Sequence, residues 1–285
     1  MRLPPTQLPP EITLSELPAA SQAALRSARR LLRRKERQSV RRFLAEGAPA
    51  VSEALRRPAT VIEMIVADDS VDRHGELISM ASKFEIRITT APTRTLAELA
   101  DTVTPQGLIA VCHMVDVPVA EALASRPWLV VLCNKVRDPG NLGTVIRCAD
   151  AFGADAVLVS RDSVDLYNAK TVRSTTGSLF HLPLVVGIDL AEAVKLGRES
   201  GLQVFGTDAA AAYKINDLAA SGELAQPTMW VMGNEAWGLP AEHQELLDRL
   251  VALPVYGRAE SLNLSTAAAV FLYASATAQR GEVVH

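Results

Sequence analysis

Cysteine is scarce: the 285 residues hold Cys112, Cys133 and Cys148 and no others. Their odd number and wide spacing argue against a disulfide framework and against a cysteine zinc site. Cys148 directly follows Arg147, which admits a nucleophilic thiol. A free cysteine more often packs as a small hydrophobe, and that reading is preferred. The five histidines, His74, His113, His181, His243 and His285, form no ligand-spaced pair. Neither a zinc hydrolase nor a histidine-based triad is expected, and no metal is assigned. No apolar run is long enough for a transmembrane helix. The opening Met1-Arg-Leu-Pro-Pro has neither the apolar core nor the small-residue cleavage site of a signal peptide. A cytoplasmic protein with no membrane partner is the resulting expectation.

What is present suits a globular protein, with 48% hydrophobic and 21% charged residues and enough length for two domains. Net charge is −3, but it is unevenly spread. Between Arg26 and Arg42 nine Lys or Arg residues face a single acid, Glu36, a local balance of +8 that leaves −11 on the rest of the chain. A basic block on an acidic protein is the footprint of a polyanion site. The alternative is a solvated helix face.

Residues 1–20, with five prolines, read as a flexible tail. From Ser21 to Arg42 a thin apolar stripe of Ala24, Leu25, Ala28, Leu31 and Leu32 between arginines predicts one helix. Short alternating strands and helices follow: strand Phe43–Gly47, helix Ala50–Leu55, strand Val61–Ala67, helix Val71–Ser82, strand Ile86–Thr89, helix Leu96–Asp101 and strand Leu108–Cys112. They make a small α/β domain over residues 21–116, with a linker at 117–126. In the second domain, 127–285, strands are expected at Trp128–Cys133, Ala156–Val159, Leu182–Val186, Leu202–Thr207, Thr228–Met232 and Val251–Pro254. Helices are expected at Asn168–Gly177, Leu190–Ser200, Pro240–Leu250 and Ser261–Ala276. Near-continuous apolar strands between helices indicate a parallel sheet covered on both faces. No Gly-x-Gly-x-x-Gly follows any of these strands, which disfavours a dinucleotide-binding Rossmann site.

Three segments of the second domain carry the chemistry. The first is Cys133-Asn-Lys-Val-Arg-Asp-Pro-Gly-Asn-Leu-Gly-Thr-Val-Ile-Arg147, an apolar strand running into a Pro139-Gly140-Asn141 turn and a helix that closes at Gly153. Polar residues at such a turn lie where open α/β sheets place their chemistry. The second is Val231-Met-Gly-Asn-Glu-Ala-Trp-Gly-Leu-Pro240, and the third is Leu253-Pro-Val-Tyr-Gly-Arg-Ala-Glu-Ser-Leu-Asn-Leu-Ser265. In this order and spacing they resemble the three motifs of the SpoU (TrmH-like) RNA ribose 2′-O-methyltransferases of the SPOUT superfamily. The resemblance spans residues 128 to 280. In the first domain, Phe43-Leu-Ala-Glu-Gly47 and Thr104-Pro-Gln-Gly-Leu-Ile-Ala110 look like the substrate-binding domain of rRNA-directed members, whose fold is similar to ribosomal protein L30e.

The resemblance implies an α/β methyltransferase domain tied in a trefoil knot, with S-adenosylmethionine as cofactor and a homodimer built through the knotted region. Periodicity alone would not predict the knot, since knots are rare. Carried over by motif position, Gly233, Leu253 and Leu262 fall at cofactor-contact positions, and Thr207 at the end of its strand is a further candidate. Alone, Gly233 would read as a turn glycine and the two leucines as core. Asn141, Arg147, Glu235, Ser261 and Asn263 fall at the polar active-site positions. A guanidinium at 147 suits bidentate phosphate gripping and alkoxide stabilisation better than a base role, because arginine is effectively always protonated in proteins. Glu235 is either a base or an anchor for its loop, and Ser261 and Asn263 are of types that cap helices. Trp237 stands where a small or polar residue is frequent, either to stack on an RNA base or to pack between copies.

The expected function is methyl transfer to a ribose 2′-hydroxyl, with 23S rRNA as partner because of the extra domain and Arg29, Arg30, Arg33 and Arg34 as RNA-binding residues. A tRNA substrate is the nearest rival. An RNA-binding protein that has lost catalysis and a nucleotide-dependent oxidoreductase are the readings from other classes.

Overall fold

The computed structural model describes residues 16–100, 102 and 104–281, so the expected tail lies outside it as far as residue 15. Residues 18–20 are not free of structure: Ala20 N donates to Thr90 O at 2.8 Å and Thr90 N donates to Pro18 O at 3.0 Å. The chain divides into two compact units between Met114 and Val115.

The first unit holds α1 (Gln22–Arg30), α2 (Arg34–Val40), β1 (Arg42–Glu46), α3 (Ala48–Leu55), β2 (Val61–Ala67), α4 (Gly75–Lys83), β3 (Arg87–Ala91), α5 (Thr93–Ala100) and β4 (Leu108–His113). Its sheet runs β1-β4-β2-β3, antiparallel except for the β2–β3 pair. Leu25, Ala28 and Leu31 pack with Leu96, Leu99, Ile65 and Ile109, which is the apolar stripe expected at the start of the unit. The single helix expected over Ser21–Arg42 is instead two. Leu31 ends the first, and Arg37 from the second donates to Leu31 O at 2.7 Å and Leu32 O at 2.9 Å. The buried guanidinium thus satisfies carbonyls that a continuous helix would have satisfied itself. Arg41, at φ 52°, then ends α2 in the left-handed conformation.

The second unit continues with α6 (Val119–Ala122), β5 (Leu129–Cys133), α7 (Pro139–Ala151), β6 (Ala156–Ser160), α8 (Ala169–Thr175), β7 (Leu184–Ile188) and α9 (Leu190–Glu199). It closes with β8 (Gln203–Thr207), β9 (Tyr213–Lys214), α10 (Ile215–Ser221), β10 (Thr228–Met232), α11 (Ala241–Gln244), β11 (Arg249–Ala252) and α12 (Leu264–Gln279). Its seven-stranded sheet has the order β7-β6-β5-β10-β8-β11-β9, and every neighbouring pair is parallel. Strands β5, β6 and β10 are buried along their whole length, as unbroken apolar runs covered on both faces must be. Residues 117–126, read as a linker, are packed into this unit: Ala122 and Leu123 are buried in its core with Val117 and Val119 against them.

Three local departures have physical causes. The Pro139-Gly140-Asn141 turn is already the first turn of α7, because Asp138 caps it, accepting from Asn141 N at 2.8 Å, and Pro139 needs no amide partner there. The helix expected over Pro240–Leu250 shrinks to α11, since Arg249 and Leu250 are drawn into the sheet beside β8. Helix α12 starts at Leu264 rather than Ser261, with Asn263 as its cap. Along α12, Phe271 lies 4.5 Å from the Trp230 ring by centroids, and Trp230 Nε1 donates to Ser275 Oγ at 2.9 Å in the core.

Candidate active site

The chemistry gathers at the carboxyl ends of β5, β8, β10 and β11, where the strand order departs from chain order. A cavity of about 410 Å³ opens there, a volume that suits a small organic cofactor. Its wall includes Thr207, Gly233, Leu253 and Leu262, all four cofactor positions expected from sequence. Asp208, Val255 and Phe271 also line it, and its charged lining residues are Asp208 and Glu235.

Gly233 is there for close approach. A Cβ at this position would stand 2.6 Å from the Gly238 carbonyl carbon and 2.7 Å from its oxygen. The loop between them is tight: Asn234 N donates to Gly238 O and Gly238 N to Asn234 O, both at 2.9 Å. Asn234 adds two side-chain bonds, donating from Nδ2 to Lys135 O and accepting at Oδ1 from Ala236 N, each at 2.8 Å. Gly238, at φ 64°, completes the turn in a conformation that side chains disfavour.

Glu235 ties this loop to the start of α7. Its carboxylate accepts from Arg137 N at 3.1 Å, Asp138 N at 3.0 Å and Asn141 Nδ2 at 3.1 Å. Asn141 Oδ1 accepts in turn from Asn263 Nδ2 at 3.0 Å. One polar chain thus joins the three motifs across 94 and 122 residues of sequence. Burial pushes the Glu235 carboxyl up, but the bonds donated by Asp138, Arg137, its own amide and Asn141 outweigh it and hold the group below the usual glutamate range. A carboxylate so held is a poor proton acceptor, and of the two expected roles the anchor fits the geometry.

The other expected residues are distributed as follows. Asn263 Oδ1 accepts from Ser265 N at 2.9 Å and so both caps α12 and holds Asn141. Ser261 lines the cavity and makes no cap. Arg147 lies on α7 beyond Asn141, exposed and outside the cavity wall, and its side chain has no hydrogen bond or ion pair among the described residues. Neighbouring Cys148 has its thiol pushed up by burial, against the smaller opposing effect of Arg147, so it is poorly suited as a nucleophile. In the first unit, Arg29 pairs with Glu98 and Arg30 with Glu36, while Arg33 and Arg34 are exposed. Sequence reasoning missed Asp138, whose Asx cap was visible as Asp-Pro, and Asp208, which carried no signal. Among the described residues, no group of three or more His, Cys, Asp or Glu is arranged to hold a metal ion, and no helix is long and apolar enough to cross a membrane.

Residues 128–273 match the model of the SpoU rRNA methylase family. The chain belongs to that family. Residues 23–110 match a second model, an MRM3-like substrate binding domain. Among curated relatives of this SpoU protein is the 23S rRNA (guanosine(2553)-2′-O)-methyltransferase RlmP of Bacillus subtilis, 35% identical over 91% of this chain and 98% of the relative. Among solved structures, the SpoU methyltransferase AviRb from Streptomyces viridochromogenes, in complex with the cofactor AdoMet, superposes with a TM-score of 0.78 at 29% identity. The match covers 92% of this chain and 100% of that one. An AdoMet-bound rRNA methyltransferase from Sinorhizobium meliloti gives 0.77 at 26% identity, covering 94% and 98%.

Proposed function

We propose that this SpoU protein transfers the methyl group of S-adenosylmethionine to a ribose 2′-hydroxyl of 23S rRNA. The observation that carries the reading is the cavity walled by Thr207, Gly233, Leu253 and Leu262, set beside the Glu235–Asn141–Asn263 chain in a member of the family. When bound, the cofactor supplies an activated methyl group with its own leaving group. Gly233 lets the 234–238 turn close beside the cofactor's cavity, and Leu253 and Leu262 offer apolar contact. Arg147 grips a phosphate of the substrate strand and stabilises the negative charge that develops on the 2′-oxygen as it attacks the methyl carbon, the hydroxyl proton passing to bulk water. Glu235 and Asn263 keep Asn141 and the start of α7 in register with the cavity. Correct placement of the two reactants can lower the barrier by roughly 7–11 kcal/mol in favourable cases.

The first unit binds the RNA, with Arg33 and Arg34 as its phosphate contacts and Arg29 and Arg30 as secondary ones. The second unit acts as a homodimer in the cytoplasm, with the segment after Leu253 threaded as a trefoil knot. Support for the dimer comes from α12, which has no charged residue from Leu264 to Gln279 and leaves Val270 and Tyr273 exposed.

The experiment is methyl transfer from labelled S-adenosylmethionine to total RNA from cells lacking the protein. The product is mapped by the resistance of the 2′-O-methylated linkage to alkaline hydrolysis. Label at one 23S position is the expected result. Label confined to tRNA would replace the substrate, and cofactor binding without label in any RNA or ribosomal particle would overturn the reading.

A further inference from the structure

Trp237 has no part in the chemistry described so far, yet it forms part of the cavity wall while 58% of its surface is exposed. No other aromatic ring and no cation packs on it among the described residues. Its support is rigid. The 234–238 turn is closed by two backbone bonds, braced by Asn234 and anchored through Glu235 to the start of α7. A large aromatic face held on a fixed turn is a preorganised binding surface.

The reaction itself says what must come to that surface. The 2′-hydroxyl that accepts the methyl group has to reach the cavity, so the nucleotide carrying it sits at the rim. The polar side chains that the turn offers are already engaged, Asn234 with Lys135 and Ala236, and Glu235 with Arg137, Asp138 and Asn141. What remains for a base is the indole face. We propose that Trp237 is the stacking platform for the base of the methylated nucleotide, a positioning role that rests on the methyltransferase reading above. Stacking holds the nucleotide without demanding a particular base edge, because every base has a π-face.

Trp237→Ala is expected to lower kcat/KM for RNA by about 10-fold, through KM, since base–aromatic stacking has that order of effect. Trp237→Phe, which keeps an aromatic face, recovers most of the loss in KM for RNA. The decisive comparison uses a 23S rRNA fragment spanning the mapped target, intact or abasic at that nucleotide with the ribose and its 2′-hydroxyl kept. The gap between wild type and Trp237→Ala should be present on the intact fragment and absent on the abasic one. An undiminished gap on the abasic fragment overturns the proposal. So does a change in sedimentation mass with KM unmoved, which would make the ring a contact between copies. Failure of the wild-type protein to methylate any RNA would instead strike down the methyltransferase reading, and this role with it.

Discussion

Arg147 and Glu235 illustrate two ways in which a charged residue serves a site. Arg147 is exposed and its side chain makes no hydrogen bond or ion pair among the described residues, so truncating it breaks none of the protein's own polar bonds. Arg147→Ala should therefore abolish turnover while cofactor affinity, read by calorimetry, stays within a factor of about two. A mutant methylating at the wild-type rate would refute the assignment. Glu235, by contrast, is saturated with donors that favour its ionised form. Its pKa lies below the ordinary value of 4.5, so the stability it contributes is fully present above that value and is lost as pH falls through the lower folded value. The contribution of Glu235 to unfolding stability, read as the difference between wild type and Glu235→Gln, should accordingly be flat from mildly alkaline conditions down past the usual glutamate range, falling only at the acid end. A midpoint near neutrality would mean that the carboxylate is not held as described. The anchor role could not be read from residues 231–240 themselves, since nothing in that segment announces that the amides of Arg137 and Asp138 point at it.

At the scale of elements, the strands that ended up buried on both faces were the most legible. Thr228–Met232 was expected with the bounds observed, because an apolar run flanked by polar residues has few alternatives. Less legible were elements whose limits depend on a distant partner. The break between α1 and α2 requires Arg37 to reach back to Leu31 and Leu32, and a stripe of leucines gives no hint of it. Strand β9 and helix α10 were not expected at all; β9 has two residues and is held by its pairing with β11. Helix α12 shows what an all-round apolar sequence conceals. Its attachment to the sheet includes a buried polar bond, from Trp230 to Ser275. Ser275→Ala removes the hydroxyl without adding bulk at a fully buried position and leaves the indole N–H without an acceptor, and should destabilise the unit by about 1–3 kcal/mol in urea unfolding. A neutral result would mean that the indole finds another acceptor.

Across the whole molecule, charge and chemistry are kept apart in sequence. The +8 block of residues 26–42 belongs to the first unit, whereas the cavity of the second carries Asp208 and Glu235. If Arg33 and Arg34 are the phosphate contacts, the double alanine variant should reduce the slope of log affinity for RNA against log salt by about 1.4–1.8. Replacing Arg29 and Arg30, which already have carboxylate partners, should change it less. Equal effects, or none, would return the helices to a solvated role. The two-unit organisation and the parallel sheet followed from composition and periodicity. The convergence of Asn141, Glu235 and Asn263 did not, and was reached through the resemblance of three motifs.

The strand order has a consequence in time. All four strands of the first unit lie between Arg42 and His113, so its sheet is complete as soon as that stretch has left the ribosome. In the second unit β10 must enter between β5 and β8, both made earlier, and the cavity is closed by residues as late as Phe271. Pairings of such separation form slowly. If the first unit binds RNA as proposed, a nascent chain presents its basic surface well before it has anywhere to hold a methyl donor, and a message cut short before α12 should yield a product that binds RNA and leaves it unmodified.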